Sequence, residues 1–310
     1  MNVLVTGATG FVGRRLVPAL LDAGHEVRVL VRDRSSYEPD VADDIGVYEG
    51  DLLEQGSFES ALAGVDAAYY LVHSMGSSGD FEERDRQAAR HFRAAASAAD
   101  VERVIYLGGL GPSEDDEGVS AHLRSRQEVG RLLDEGTYDL TTLRAAVIVG
   151  EGSASFELID QLTGRLPVML APKWVRTRCQ PIAIDDVITY LVGVLDAPET
   201  AGGTFEIGGP EVMTYQEMLQ RTAEIAGRTV YIVPVPVLTP TLSSHWLTFV
   251  TDVPTSVARP LIAGLKTPVV VEDDRIQQFV DVEPTSFETA VRRAFGSESP
   301  PPSPPAEATG

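Results

Sequence analysis

Three glycines near the start of the chain, spaced Gly7-x-x-Gly10-x-x-Gly13, are the residues whose type and spacing point most directly to chemistry. They interrupt the apolar run Val3-Leu4-Val5, and a helical pattern of Leu16, Val17, Leu20 and Leu21 follows. In a strand–turn–helix setting, Gly7 permits the tight turn and Gly10 lets the backbone approach a pyrophosphate. Gly13 lets the helix pack closely on the strand. The helix N-terminus then offers free N–H groups and a partial positive charge to phosphates. The stretch Thr6-Gly7-Ala8-Thr9-Gly10-Phe11-Val12-Gly13 therefore reads as a nucleotide-binding loop, with Thr9, Phe11 and Val12 filling its intervals.

A second position bears on which nucleotide. The run Glu26-Val27-Arg28-Val29-Leu30-Val31 reads as a buried strand and ends in Arg32-Asp33-Arg34. A carboxylate at this junction pairs with a ribose 2′-hydroxyl and favours NAD, whereas an arginine accommodates a 2′-phosphate. Arg32 precedes any carboxylate, so NADP(H) is expected over NAD(H), with Asp33 as the competing signal. Further along, Val65 to Val72 reads as a fourth strand whose end, Leu71-Val72-His73-Ser74-Met75-Gly76, belongs beside the cofactor. Ligands of such folds collect outside the carboxyl ends of parallel strands.

These positions require a frame of alternating strands and helices. A strand near Val47-Tyr48 leads to Gly50-Asp51-Leu52, with a helical segment from about Ser57. Asp80 and Glu83 look like the capped start of a helix reaching Ala99. Val104 to Leu107 forms a fifth strand, a helix spans about Ser120 to Glu135, and a strand runs from Leu140 to Val149. The pattern predicts an α/β fold, a Rossmann-type doubly wound parallel sheet, with a small C-terminal substrate lobe. The expected division is residues 1–150 for the nucleotide-binding domain and 151–295 for a smaller lobe interleaved with it. Residues 296–310, rich in Pro, Ser and Glu, are expected to be a disordered tail. The apolar run Tyr231 to Val250 is broken by Pro234, Pro236 and Pro240, so it cannot be one regular helix; it reads as lobe packing or as an apolar lid.

Composition narrows the setting. The 310 residues are ample for one large α/β domain with an added lobe. Because the first residues read directly as a strand, no signal peptide is expected, and no apolar run reaches the roughly 20 residues that a transmembrane segment needs. A single cysteine, Cys179, excludes an internal disulfide and fits a reducing, cytoplasmic location. Buried, it is a packing residue rather than a nucleophile. The net charge is −21, with Lys173 and Lys266 the only lysines. No basic stripe exists to neutralise phosphates, so no nucleic acid is expected as a partner. The acidic cluster Glu114-Asp115-Asp116-Glu117 reads as a solvated loop, and no ligand spacing suggests a metal. Acid spread along the whole chain reads as adaptation to high intracellular salt; a GC-rich codon bias toward arginine is the alternative.

The Thr6-Gly7-Ala8-Thr9-Gly10-Phe11-Val12-Gly13 spacing resembles the extended and atypical short-chain dehydrogenase/reductases. That superfamily includes sugar-nucleotide epimerases, NmrA-like proteins and an accessory subunit of respiratory complex I. The segments Leu71 to Gly76, His122 to Gly130 and Trp174 to Pro181 strengthen the likeness to the atypical, complex-I-accessory-like branch. The Leu30-Val31-Arg32 ending is similar to that of NmrA-like proteins, and two late segments, Pro181 to Val187 and Thr204 to Met218, resemble the late motifs of extended short-chain dehydrogenases. Many bacterial members of that branch continue into a further C-terminal domain, which this chain stops short of. The resemblance implies NADP, contacts of Asp51 and Leu52 with the adenine ring, and a lobe covering the substrate.

It also implies a serine after the fifth strand and a Tyr-x-x-x-Lys pair on the next helix, and the chain departs from both. Gly108-Gly109 stands at the serine, and His122-Leu123-Arg124-Ser125-Arg126 aligns His122 with the tyrosine and Arg126 with the lysine. Their i, i+4 spacing keeps both on one helix face. His122 could then serve as a proton donor, and Arg126 could hold ribose hydroxyls but not release a proton. Polar helix residues lining a solvated cleft are the non-catalytic alternative. The function expected is hydride transfer between NADP(H) and a small-molecule substrate, a carbonyl or quinone-like compound of apolar character. Arg144, Arg176 and Arg178 could draw an anionic or quinone-like group into the cleft, or simply form salt bridges. The alternative function is a non-catalytic NAD(P)H-binding sensor or assembly protein, and a homo-oligomer is left open. A sugar-nucleotide epimerase is weakened by the missing tyrosine. The charge pattern has a measurable consequence: the denaturation midpoint should rise as KCl is raised from dilute buffer to molar levels, and a fall would remove the salt-adaptation reading.

Overall fold

The computed structural model describes residues 1–37, 45–74, 81–112, 119–235, 252, 262 and 264–296. Its centre is a seven-stranded sheet built from β1 (Asn2–Thr6), β2 (Glu26–Val31), β3 (Gly46–Glu49), β4 (Ala67–Tyr70), β5 (Arg103–Gly109), β6 (Asp139–Ala145) and a late strand, Thr204–Ile207. Every neighbouring pair is parallel, in the order late strand-β6-β5-β4-β1-β2-β3. The strand order reverses between β1 and β4, and there the crevice of a doubly wound sheet opens.

The strands are near-continuous apolar runs because helices cover both faces. On one face, Val3, Val5 and Val29 pack against Leu16, Val17 and Leu20 of α1 (Gly13–Asp22). On the other, Leu4, Ala68 and Tyr70 meet Ala88, Phe92 and Ala96 of α2 (Phe81–Ala98) and Val129 and Leu133 of α3 (Ala121–Asp134). The alternation of Val3, Leu4 and Val5 between the two cores is the period of two that a strand imposes. The alanines of α2 allow close approach to the sheet. Ser120 caps α3 through its side-chain oxygen, which accepts from Leu123 N–H.

The expected strand from Leu140 to Val149 is in fact broken. β6 ends at Ala145, and β7 (Ile148–Val149) leaves the main sheet. The helical segment expected near Ser57 is only a short turn of 3₁₀ helix, Glu59–Leu62, bracketed by Gly56 and Gly64 at positive φ. After α4 (Ala154–Arg165) come β8 (Val168–Pro172), β9 (Arg178–Cys179) and β10 (Ile182–Ala183), which pairs with β7. The chain then returns to the sheet through α5 (Ile184–Asp196), whose Val187, Leu191 and Val194 join the α1 core, and through the seventh strand, here β11 (Thr204–Ile207).

The remaining elements are β12 (Met213–Thr214), α6 (Tyr215–Ile225), β13 (Tyr231–Val235) and α7 (Phe287–Ala294). With α4 and β8 they enclose a third core. Thr214 and Glu217 form a capping box at the start of α6. Of the apolar run Tyr231 to Val250, residues 231–235 pair in parallel with β8, and the rest lies outside the described residues. Also outside them are Met75, Gly76, Asp80, the acidic cluster Glu114 to Glu117 and residues 297–310 of the tail. No helix among the described residues is long and apolar enough to cross a membrane.

The glycine loop yields a sharp test. A Cβ on Gly13 would lie 2.3 Å from the Gly7 carbonyl oxygen and 2.7 Å from Ala8 Cα. Backbone, not a movable side chain, would have to shift. Gly13→Ala should lower the unfolding free energy by about 1–3 kcal/mol and weaken nucleotide binding. At Gly24, φ is +84° but nothing stands within 4 Å of the added atom. Gly24→Ala should cost stability through φ alone and leave binding unchanged, which paired denaturation and NADPH titrations would check.

Candidate active site

Two threads of hydrogen bonding hold the ends of β1 and β4 together. The Thr6 hydroxyl donates to the Tyr69 carbonyl at 2.9 Å and accepts from the Leu71 N–H at 3.3 Å. The next residue, Gly7, has φ +72°, and a Cβ there would meet the Leu71 carbonyl oxygen at 2.9 Å. Only glycine suits both the conformation and the space. The chain turns through Gly10 N–H to Gly7 O at 2.9 Å and enters α1. Val12 at the N-cap supplies no side-chain cap, and no acidic residue stands in the first turn of α1. Arg14 N–H bonds Gly10 O at 3.0 Å and Arg15 N–H bonds Val12 O at 3.1 Å, so what this end offers a pyrophosphate is the positive pole of α1 with no acid set against it.

Above this loop lies a cleft of about 540 Å³. Of the residues expected to hold a cofactor, Gly7, Thr9, Gly10, Arg32, Asp51, Leu52, Leu71 and Val72 all line it. Phe11, Val12 and Gly13 do not; they stand behind the loop. Phe11 sits close to the Gly150 position, and Arg15 stacks over its ring at 4.8 Å. Asp51 accepts the Leu53 N–H at 2.9 Å, which shapes the turn beside Leu52. Asp33 turns its carboxylate to Ser35, accepting from N–H at 2.8 Å and from the hydroxyl at 2.7 Å; these bonds hold its carboxyl below the usual range. Glu49 accepts the Arg34 N–H at 3.0 Å. Neither acid lines the cleft, whereas two arginines do: Arg32 and Arg84. Arg84 was not expected from the sequence, and its Nε is buried with no hydrogen-bond partner among the described residues. The loop, the volume and these cations fit a dinucleotide.

At the far end of the cleft stand His73 and Ser74. His73 Nδ1 lies 2.8 Å from Asp85 Oδ2, and its Nε2 lies 3.1 Å from Nδ1 of His122. Asp85 is 2% exposed and also accepts from the Ser74 N–H at 2.9 Å and the Ser125 hydroxyl at 3.1 Å. Burial alone would raise its carboxyl, but the bonds from His73 and Ser74 hold it below the ordinary value. Burial lowers His73 despite Asp85. Burial, with the nearby His73 and Arg126, pushes His122 down to about 3. His122 lines a different cavity, of about 180 Å³, walled mainly by apolar side chains including Leu158, Leu162, Trp174 and Val269. The histidine pair therefore stands between the nucleotide cleft and an apolar chamber.

Arg126 shares the helix face of His122 but does not line the nucleotide cleft. Its guanidinium donates to the Leu107 carbonyl and lies over the Tyr106 ring at 5.2 Å. It faces a further cavity of about 390 Å³, together with Arg144. With its guanidinium taken by the Leu107 carbonyl, Arg126 does not reach the lining of the nucleotide cleft. Arg176 and Arg178 are exposed and line none of the three cavities. Cys179 is fully buried, and burial pushes its thiol up to about 12, so it is no nucleophile. At the position of the absent serine, a Cβ on Gly109 would lie 2.9 Å from Leu123 Cδ1, the movable end of a side chain from α3. Among the described residues no three His, Cys, Asp or Glu side chains form a metal site.

Over residues 7–162, half of the chain, the sequence matches the family described as NAD(P)H-binding. It is 32% identical over 133 residues to the dihydroflavonol 4-reductase of Hordeum vulgare, a match covering 37% of this chain and only 36% of that relative. It is 26% identical over 222 residues to NADH dehydrogenase (ubiquinone) 1 alpha subcomplex subunit 9 of Dictyostelium discoideum, covering 69% of this chain and 61% of the other. The fold is similar to that of the triphenylmethane reductase of Citrobacter sp., with a TM-score of 0.76 at 19% identity, over 96% of this chain and 100% of that one.

The lowered histidines carry a signed pH dependence. Below the ordinary imidazole value of 6.5, the unfolded chain takes up a proton at position 122 that the folded protein refuses down to about 3. The stability is present above pH 6.5 and is lost as pH falls toward 3. The loss should approach about 1.4 kcal/mol per pH unit. Carboxylate protonation in so acidic a chain works in parallel, so the comparison must be with His122→Gln. Between pH 7 and 5, the variant should lose less stability than the native protein in chemical denaturation.

Proposed function

Since this chain belongs to the NAD(P)H-binding family, we propose that it is an NADP(H)-dependent oxidoreductase acting on a compact, apolar carbonyl or quinone-like substrate. The observation that carries the reading is the pair His73 and His122, 3.1 Å apart, with one ring in the nucleotide cleft and the other in the apolar chamber. A bound nicotinamide supplies a hydride to a carbonyl carbon. The chain's own residues supply the rest. The loop from Gly7 to Gly13 and the start of α1 hold the pyrophosphate. Asp51 and Leu52 flank the base. His122 exchanges a proton with the substrate oxygen, and the Leu, Trp and Val walls exclude water and select for apolar shape.

The preference for NADP(H) rests on how the charges are committed. Asp33 and Glu49, the carboxylates near the end of β2, are occupied by local backbone donors. Arg32 and Arg84 line the cleft instead. Two guanidinium groups on the cleft wall suit a 2′-phosphate.

A second reading is a nucleotide-binding sensor or assembly protein without turnover. Gly108-Gly109 at the serine position and the lack of Tyr-x-x-x-Lys favour it, as does the likeness to a respiratory-complex subunit. The two readings part in one assay: NADPH absorbance followed against a panel of apolar carbonyls and quinones, with His122→Gln alongside. Oxidation that depends on His122 supports the enzyme; tight binding with no oxidation across the panel supports the sensor. In nucleotide titrations, Arg32→Ala and Arg84→Ala should each weaken NADPH by about tenfold, or about 1.4 kcal/mol, and leave NADH nearly unchanged. Equal losses for both nucleotides would remove the NADP(H) preference.

A further inference from the structure

We infer that Asp85 and His73 are positioning residues that hold His122 as its Nδ1–H tautomer, with Nε2 bare toward the apolar chamber, and that His73 is the proton store of the site. The step rests on the oxidoreductase reading; the tautomers do not.

The argument is a count of protons along the chain of contacts. Asp85 is buried and accepts from the Ser74 N–H and the Ser125 hydroxyl, so it is an acceptor toward His73 as well. The 2.8 Å contact is then His73 Nδ1–H donating to Asp85 Oδ2. A neutral His73 has a lone pair left on Nε2, so the 3.1 Å contact requires His122 to donate from Nδ1. A neutral His122 therefore carries no proton on Nε2, on the other edge of the ring. Burial favours neutrality at both rings, and the groups facing them agree: among the described residues Asp85 from α2 is the one anion acting on them, while Arg126 from α3 repels added positive charge.

In alcohol oxidation, the substrate hydroxyl gives its proton to His122 Nε2 as hydride leaves its carbon for the oxidised nicotinamide. His122 passes its Nδ1 proton to His73 Nε2, and His122 ends neutral. The positive charge comes to rest on His73, against the Asp85 carboxylate. Carbonyl reduction runs the same path backward: His73 returns the Nε2 proton to His122 Nδ1, and His122 gives its Nε2 proton to the carbonyl oxygen as hydride arrives at carbon. One proton and one hydride are exchanged in each direction. The imidazolium never has to sit on His122, where the chamber walls are apolar.

Sequence could have hinted at this carboxylate. Asp85 falls on the apolar stripe of α2, among Phe81, Ala88, Ala89 and Phe92, where a charge needs a buried partner.

The test is ¹⁵N NMR of the imidazole rings in the full-length, NADP⁺-loaded protein at neutral pH, with assignments from single His→Gln variants. Both His73 and His122 should be protonated at Nδ1 and bare at Nε2. An Nε2–H signal for His122 overturns the inference whether or not any substrate is turned over. Asp85→Asn should disturb the His122 ring nitrogens, two contacts away; unchanged His122 shifts in a folded variant would also overturn it. In turnover, His73→Ala should lower kcat on the order of 100-fold with KM for NADPH unchanged, and added imidazole should restore part of the rate. An undiminished kcat overturns the proton store. A wild-type protein with the expected tautomers but no turnover across the carbonyl panel overturns the oxidoreductase reading, and the proton step with it.

Discussion

The close approach of backbone to backbone where β1 and β4 end is the constraint on which the rest of this structure depends. Parallel strands diverge there in their connections, one toward α1 and β2, the other toward α2 and β5, so a crevice must open. Its floor stays intact because the Thr6 hydroxyl bridges the two strands and because Gly7 has no Cβ to push Leu71 away. A side chain at Gly7 or Gly13 would move α1, and with it the positive pole of its first turn. Glycine here serves packing and binding at once: the space it leaves empty is what lets both the helix and a phosphate come near the strand.

A second constraint grows from the first. The β4 end delivers His73 to the crevice floor, and α2 presses Asp85 beneath it. A buried carboxylate without donors would cost several kcal/mol. Here it has three: a backbone N–H, a serine hydroxyl and an imidazole. The same bonds that make Asp85 tolerable fix the ring of His73, and through it that of His122. A stabilising network and a polarised pair of imidazoles are one arrangement, because each donor has a single acceptor to satisfy. The site is thus organised on a carboxylate and two imidazoles, with the end of the Leu123 side chain from α3 lying against Gly109.

The third core is tied by polar contacts to α5, which packs on the sheet. Asp186 at the start of α5 accepts from the Thr285 N–H and hydroxyl, and Arg293 of α7 reaches Asp185 at 3.0 Å. Arg103 on β5 is buried with Thr141 and Thr200, which joins the sheet centre to the connection before β11. The apolar chamber forms where α3, α4, α6 and the segment near Val269 meet. Its walls come from both sides of the chain's midpoint, so neither half contains the site alone.

The order of strands and helices, the nucleotide loop and the cations at the end of β2 were legible in the sequence, because each is written locally. Runs of Val and Leu, glycines at fixed intervals and an arginine after a strand carry their meaning within ten residues. The sequence also singled out His122, though by alignment with an absent tyrosine. What only the tertiary structure decided is who stands beside it. His73, Asp85 and Ser125 are separated from their partners by 12 to 49 residues, and no local period connects them. Arg126 shows the converse: its spacing from His122 is local and correct, yet its guanidinium goes to Leu107 and Tyr106 and not to the cleft. The break between β6 and β7 was hidden for the same reason, since Ile148 and Val149 find their partners in β10, over thirty residues further on. Periodicity reports which face a residue takes on its own element; only packing decides what that face meets.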